Sequence, residues 1–291
     1  MNDTELDCYL EAGRVAKAVL HSCAAEIKPG VLHTDIFDMV LDKIEAAGAF
    51  PSFPPNISIN ECAAHDTPSP VDERVFEEGD LVKLDIGTHI DGYIADTAVS
   101  VNLGEHDKLC EAAQKALEAA ISVVKPELVV SEIGKVVEET ITSYGYKPIV
   151  NLTGHGLGRY SLHHGLSIPN TGLFGTGVLR EGSVIAIEPF ATTGSGSVHE
   201  ATRAEIYQVV GDAPVRSPTG RKILKKADEM CGLPFSRRWL GIPKAELAIP
   251  MLLKQGNLYD YHVLSDVAGS FVSQFEHTVI VTEDEPIITT L

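Results

Sequence analysis

No run of eighteen apolar residues occurs anywhere in the chain, so no membrane-spanning helix is indicated. Bases are scarce beside acids, 23 against 41, and the net charge is −18. A chain this acidic is repelled by phosphate, which excludes a protein built chiefly to bind DNA or an anionic membrane surface. The opening residues, Met1-Asn2-Asp3-Thr4-Glu5, lack the basic stretch of a secretory signal. Cysteine is sparse as well: Cys8, Cys23, Cys62, Cys110 and Cys231 are odd in number, scattered, and form no C-x-x-C. They read as reduced thiols in a cytoplasmic protein, not as a disulfide frame or a zinc knuckle. What is present is apolar material, 44% of 291 residues, with 22% charged. That excludes a disordered or coiled-coil chain and suffices to bury roughly three quarters of the unfolded surface.

The first half of the chain repeats itself. Apolar spacing predicts a helix over Glu11 to Ile27, broken by Lys28-Pro29, then a second over Asp35 to Ala47 capped by Thr34 and ended by Gly48. A shift of 97 residues brings the same order: a helix over Lys108 to Val124, Lys125-Pro126, then a helix from a Ser131 cap to about Tyr144, ended by Gly145. Two similar α/β halves are expected. After each helix pair the apolar period falls to two. Leu81 to Ile90 and Tyr93 to Leu103 read as strands joined by Asp91-Gly92, a dipeptide suited to a type I′ turn. Further strands are predicted at Ser183 to Glu188, Glu205 to Val210 and Thr278 to Thr282. The pattern argues α+β with a mainly antiparallel sheet. Residues 206–260 differ in texture, with bases at Arg216, Arg221, Lys222, Lys225, Lys226, Arg237, Arg238 and Lys244. Helices are predicted from a Thr219 cap through Met230 and from Lys244 to Gln255. The segment reads as a small helical insertion whose basic face is solvated, with contact to RNA or the ribosome as the alternative.

The hairpin also carries chemistry. A two-residue turn pairs Ile90 with Tyr93 and Gly87 with Asp96, and puts Asp85 diagonal to Asp96 on one face. Glycine opposite Asp96 leaves space, while Val82, Leu84 and Ile86 face the core. Two carboxylates held so close repel unless a cation lies between them. Other residues stand at unusual places. His155 sits in Thr153-Gly154-His155-Gly156, with His163 and His164 shortly after it. Glu188 ends the apolar run Ser183 to Ile187, and Glu276 abuts Thr278 to Val281. A carboxylate at the end of a buried strand is costly unless it is paired or metal-bound. Four carboxylates and an imidazole make a hard site suited to Mn(II), Fe(II) or Co(II).

The segments Asn60-Glu61-Cys62-Ala63-Ala64-His65, Lys83 to His89 with Asp96, Asn151 to His155, Ile187-Glu188 and Gln274-Phe275-Glu276-His277-Thr278 together resemble the type 2 methionine aminopeptidases. The resemblance spans almost the whole chain in order. It implies the pita-bread fold of two pseudo-symmetric halves, with a catalytic domain over 1–205 and 261–291 and the type 2 insertion over 206–260. It implies hydrolysis of the initiator methionine from nascent chains whose second residue is small. Two divalent metal ions per chain (Co, Mn, Fe or Zn) would activate a water. Asp85 would bind the first ion, Asp96 and Glu276 would bridge, and His155 and Glu188 would complete the second. Glu188 would also shuttle the proton. His163 would steady the oxyanion, in preference to its neighbour His164, and His65 would contact the scissile amide or help protonate the leaving amine. Phe53, Leu162 and Tyr261 would enclose the thioether, with Ile206 a further candidate. His89 and His277 read as structural.

Two residues depart from the family pattern: Asp66 stands where the family often has Tyr, and Pro189 where it often has Thr. The start of the chain at the catalytic domain resembles the archaeal form. The expected partners are nascent N-termini, with transient ribosome contact through the insertion as the further expectation, and the chain is expected to be a monomer. The alternatives on the same fold are a prolidase- or aminopeptidase P-like peptidase and a non-catalytic binding protein. The former carry an extra domain before the Asp pair, and the latter lose ligands that this chain keeps.

Overall fold

A computed structural model describes residues 1–291. Its first half holds α1 (Asp3–Ala24) and α2 (His33–Ala46), followed by the long hairpin Leu81–Ile90 and Tyr93–Asn102. The second half holds α3 (Asp107–Ser122) and α4 (Val130–Ser143), followed by the strands Thr153–Gly156 and Val184–Ile187. α1 begins eight residues before the expected Glu11. Asn2 and Glu5 form a reciprocal capping box, and Tyr9 and Ala12 extend the buried stripe toward the N-terminus.

α2 shifted by 97 residues coincides with α4 from end to end. The equivalence extends to the hydrogen bonds. Gly30 N–H donates to the Phe76 carbonyl, Phe76 N–H to Val31, and His33 N–H to Arg74. In the second half Glu127 donates to Leu179, Leu179 to Leu128, and Val130 to Gly177. Gly30 and Glu127 both have positive φ. These strand-like bonds tie down the entries to α2 and α4, so each helix starts without a side-chain cap. Thr34 and Ser131, expected as caps, lie inside the first turns instead.

All strand pairings are antiparallel. The turn at Asp91-Gly92 has φ of 49° and 85°, the type I′ signature, and sets the register expected: Ile90 with Tyr93, Gly87 with Asp96. Each half has its own core. Val82, Leu84 and Ile86 pack under α1 and α2 with Val15, Phe37 and Val40. Ile185, Ile187 and Val279 pack under α3 and α4 with Leu117, Ile133 and Val137. The halves are joined between Ala98 and Glu276, which exchange backbone hydrogen bonds of 3.4 and 3.1 Å.

The strand His199–Val209 pairs with Leu258–Ser265. Between them lie α5 (Pro218–Asp228), α6 (Arg237–Leu240) and α7 (Ala245–Lys254), around a separate cluster that includes Ile223, Phe235, Ile249 and Leu252. Ser217, not Thr219, caps α5, because Pro218 fits the first helical position, where no N–H is needed. The basic face is narrower than the sequence suggests. Arg237 pairs with Glu205, Arg238 reaches Asp38 on α2, and Lys226 donates to the Leu240 carbonyl at 2.7 Å. These three bases hold the segment together and to the first half, which corrects their reading as a solvated face. No helix is long and apolar enough to cross a membrane.

Candidate metal centre

The hairpin delivers Asp85 and Asp96 to one cavity. Glycine at 87 serves a different purpose from the one expected. A Cβ there would come within 2.1 Å of Ser52 Oγ and 2.3 Å of the Phe53 ring. The space opposite Asp96 is therefore filled by Phe53, whose ring lines the same cavity. Gly87→Ala is expected to push Phe53 outward, lowering stability by about 1–3 kcal/mol through overpacking. Thermal melting checks this, and an unchanged melting temperature would count against the tight fit.

The other acids arrive from the second half. Glu188 follows the buried strand Val184–Ile187, and Glu276 precedes His277–Ile280. His155 is flanked by Gly154 and Gly156. Cβ atoms there would meet the carbonyls of Ala186 at 2.3 Å and His164 at 1.9 Å, so the glycines let neighbouring chain close in on the histidine strand. His155 Nε2 lies 3.7 Å from Asp96 Oδ2 and 3.8 Å from Glu188 Oε1. Asp96, His155 and Glu276 bring one ligand atom each within 4.8 Å of one another. Asp85 and Glu188 line the same cavity just outside that trio.

Asp96 and Glu276 are only 3% and 1% exposed, yet no lysine or arginine lines the cavity. Burial, and then the neighbouring carboxylates, push Asp96, Glu188 and Glu276 well above their ordinary range. Asp85 is also raised, chiefly by burial. Asp85 Oδ1 and Asp96 Oδ1 are buried without any hydrogen-bond partner. Burial and the adjacent His163 lower the His155 pKa to about 3, so its imidazole is neutral. Orphaned carboxylate oxygens beside a neutral imidazole are what divalent cations satisfy, and the donor set fits them.

Gln274 has a contact that sequence reasoning missed. Its Nε2 donates to Glu188 at 3.3 Å and to Glu276 at 3.4 Å. The signal was strand parity: Gln274 stands two residues before Glu276.

The cavity, about 70 Å³, is several times what one water requires. Its walls include Phe53, Leu162, Tyr261, His65 and His163, and also Ile206 and Pro234. Ile206 and Tyr261 are cross-strand neighbours. The His155 and His163 rings meet edge to face at 4.5 Å. His65 Nδ1 lies 3.2 Å from the His262 carbonyl, which can only accept, so Nδ1 carries the proton and Nε2 the lone pair. Burial lowers the His65 pKa to about 4. The other histidines lie outside this cavity. His164 lines a separate groove beside Met1. His89 packs against Phe50 and Tyr160, and His277 bonds Thr290.

The sequence matches the model of metallopeptidase family M24 over residues 7–283. The chain belongs to this family. A protein of Archaeoglobus fulgidus named methionine aminopeptidase is 49% identical over 292 residues, covering all of both chains. The crystal structure of a Thermotoga maritima methionine aminopeptidase superposes with a TM-score of 0.74 at 26% identity, covering 100% of this chain and 98% of that one. A thermophilic Arx1 superposes with a TM-score of 0.90, covering 99% and 91%, but at 19% identity it speaks for the fold alone. The M24 fold is the pita-bread fold, two similar halves with the acidic cluster at their junction. As an M24 metallopeptidase the chain uses divalent metal.

Proposed function

We propose that the protein is a methionine aminopeptidase, which hydrolyses the first peptide bond of polypeptides that begin with methionine followed by a small residue. Nascent chains are its natural substrates. One observation carries the reading. The acidic cluster, His65, His163 and an apolar wall of Phe53, Leu162, Ile206, Pro234 and Tyr261 line a single narrow cavity. The 49% identity to a protein of that name supports it.

Asp85, Asp96, His155, Glu188 and Glu276 would hold two divalent ions, drawn from cobalt, manganese, iron and zinc. Such ions, when bound, supply a water acidic enough to attack near neutral pH. The chain's own residues do the rest. Glu188 would accept a proton from that water and return it to the leaving amine. His163 donates to the carbonyl oxygen as that oxygen gains charge. His65, neutral and with Nδ1–H spent on His262, accepts the scissile amide N–H at Nε2. That favours the amide contact over proton donation, the other role expected for it. The apolar wall encloses the thioether, and the shape term for one misplaced methylene is about 1–3 kcal/mol.

The segment 206–260 is the insertion subdomain and 1–205 with 261–291 the catalytic domain. Ile206 and Pro234 bring the insertion into the pocket wall. A ribosome contact would use its exposed bases Arg216, Lys222, Lys225 and Lys244. The enzyme works in the cytoplasm, where chains emerge and thiols stay reduced.

Met-Gly-Met-Met and Leu-Gly-Gly, offered to protein loaded with Mn, Fe, Co or Zn, test the reading. Release of methionine with at least about tenfold preference over leucine is expected. No methionine release with any ion would overturn it, and cleavage of Xaa-Pro peptides instead would point to a proline-directed peptidase.

A further inference from the structure

His65 occupies a conformation that a side chain does not favour. Its φ is +63°, which costs a non-glycine residue roughly 1–3 kcal/mol unless its surroundings enforce it. On one side the enforcement is ordinary, since Ala64 pairs with Leu264. On the other side stands Asp66, buried at 4% exposure where the family resemblance leads one to expect tyrosine. Its backbone carbonyl accepts the Ile57 N–H at 2.6 Å. Its carboxylate accepts two bonds from Arg74, at 2.8 and 3.2 Å, and one from Arg203. The same Arg203 Nη2 donates to the Thr67 carbonyl at 2.9 Å. Arg74 is steadied in turn by Asp72, whose carboxyl these bonds hold down at about 2.

Arg203 lies on the strand His199–Val209, where pairing slips between Glu200 and Ala204. The partner strand supplies His262, whose carbonyl receives the His65 ring. One two-stranded ribbon thus holds His65 twice: the ring through His262, and the following backbone through Arg203. A buried carboxylate is costly unless paired, and two guanidiniums on one aspartate make an arrangement rigid enough to fix the neighbouring backbone.

We propose that Asp66, clamped by Arg74 and Arg203, is a positioning residue that holds His65 in register with the scissile amide. The proposal rests on the reading of His65 as the group that meets that amide.

Asp66→Ala and Arg203→Met are to be compared with wild type on Met-Gly-Met-Met. Arg203→Met is included because Asp66→Ala strips Arg203 of its close counter-charge and leaves Arg74 only Asp72, which can impair folding. The expected result is a kcat lower by about 10–100-fold, with KM within about twofold, as for a group displaced by a fraction of an ångström to 1 Å. Manganese titration by calorimetry should stay at the wild-type stoichiometry and affinity, since no ligand is touched. The ¹⁵N spectrum of His65 should lose the Nδ1–H tautomer of wild type. Arg203→Lys, which keeps one donor and the charge, should recover most of kcat. In a double-mutant cycle, Asp66→Ala should cost little on a His65→Ala background.

Wild-type kcat in folded Asp66→Ala, an unchanged His65 spectrum, or an equal loss on the His65→Ala background would each overturn the clamp. Full activity of His65→Ala alone would refute the reading of His65, and the clamp would then be judged on the His65 spectrum.

Discussion

Asp96→Ala is expected to reduce kcat by at least about 10³-fold, more than the 10²–10³ that a single oxyanion donor contributes. Asp96 is central to the cluster. Its carboxylate lies within reach of His155, and burial and two neighbouring acids together raise its pKa. Its backbone, held to the Thr278 hydroxyl at 2.7 and 2.8 Å, does not depend on the side chain. The variant should therefore fold, and without metal it should melt no lower than wild type, because a repelling buried charge has gone. Peptide hydrolysis, metal titration and thermal melting together separate a lost ligand from a lost fold. Wild-type turnover would remove Asp96 from the metal set.

Removing metal should make stability depend on pH in a direction fixed by the carboxylates. A group whose pKa is raised by folding stabilises the protein below its unfolded value, near 4, and ceases to as pH rises through its folded value. Asp85, Asp96, Glu188 and Glu276 are all raised. The chelated protein should therefore lose stability between about pH 6.5 and 8; below that window the buried histidines His65, His89, His155 and His277, whose pKa values folding lowers to about 3 or 4, act in the opposite sense. Asp72 and Asp266, held at about 2 by hydrogen bonds, act in the opposite sense, but only below that window. Divalent metal at about 100 times its dissociation constant should restore about 2.7 kcal/mol, or roughly 4 °C in melting temperature. Binding should also release protons, visible by calorimetry in buffers of different ionisation enthalpy. A chelated protein whose melting point is flat from about pH 6.5 to 8 would mean that the acids do not confront one another.

Local rules made much of the molecule readable. Asp91-Gly92 admits one common turn, and that turn fixes the partners of every residue from Leu81 to Asn102. Helix-spaced apolar residues between breakers gave α2 and α4 to within two residues at each end. Helix starts were harder. The entries to α2 and α4 are held by backbone bonds to residues 41 to 52 positions away, and no neighbouring side chain announces such a partner. Asp66 posed the same difficulty, since its Arg203 lies 137 residues further on.

By itself the sequence determined which residues could carry the chemistry, because a carboxylate at the end of an apolar strand or an imidazole between glycines is visible without coordinates. It also determined the two-fold repeat, because helical apolar spacing and the glycine and proline breakers act within a few residues. Only the tertiary structure decided that Phe53 occupies the room left by Gly87 and that Gln274 bridges two acids. It decided likewise that three insertion bases are spent on internal partners, and that His65 is held by a ribbon from the far end of the chain. These are matters of close packing and of charges meeting across long stretches of chain, and such distances are set only when the whole core closes.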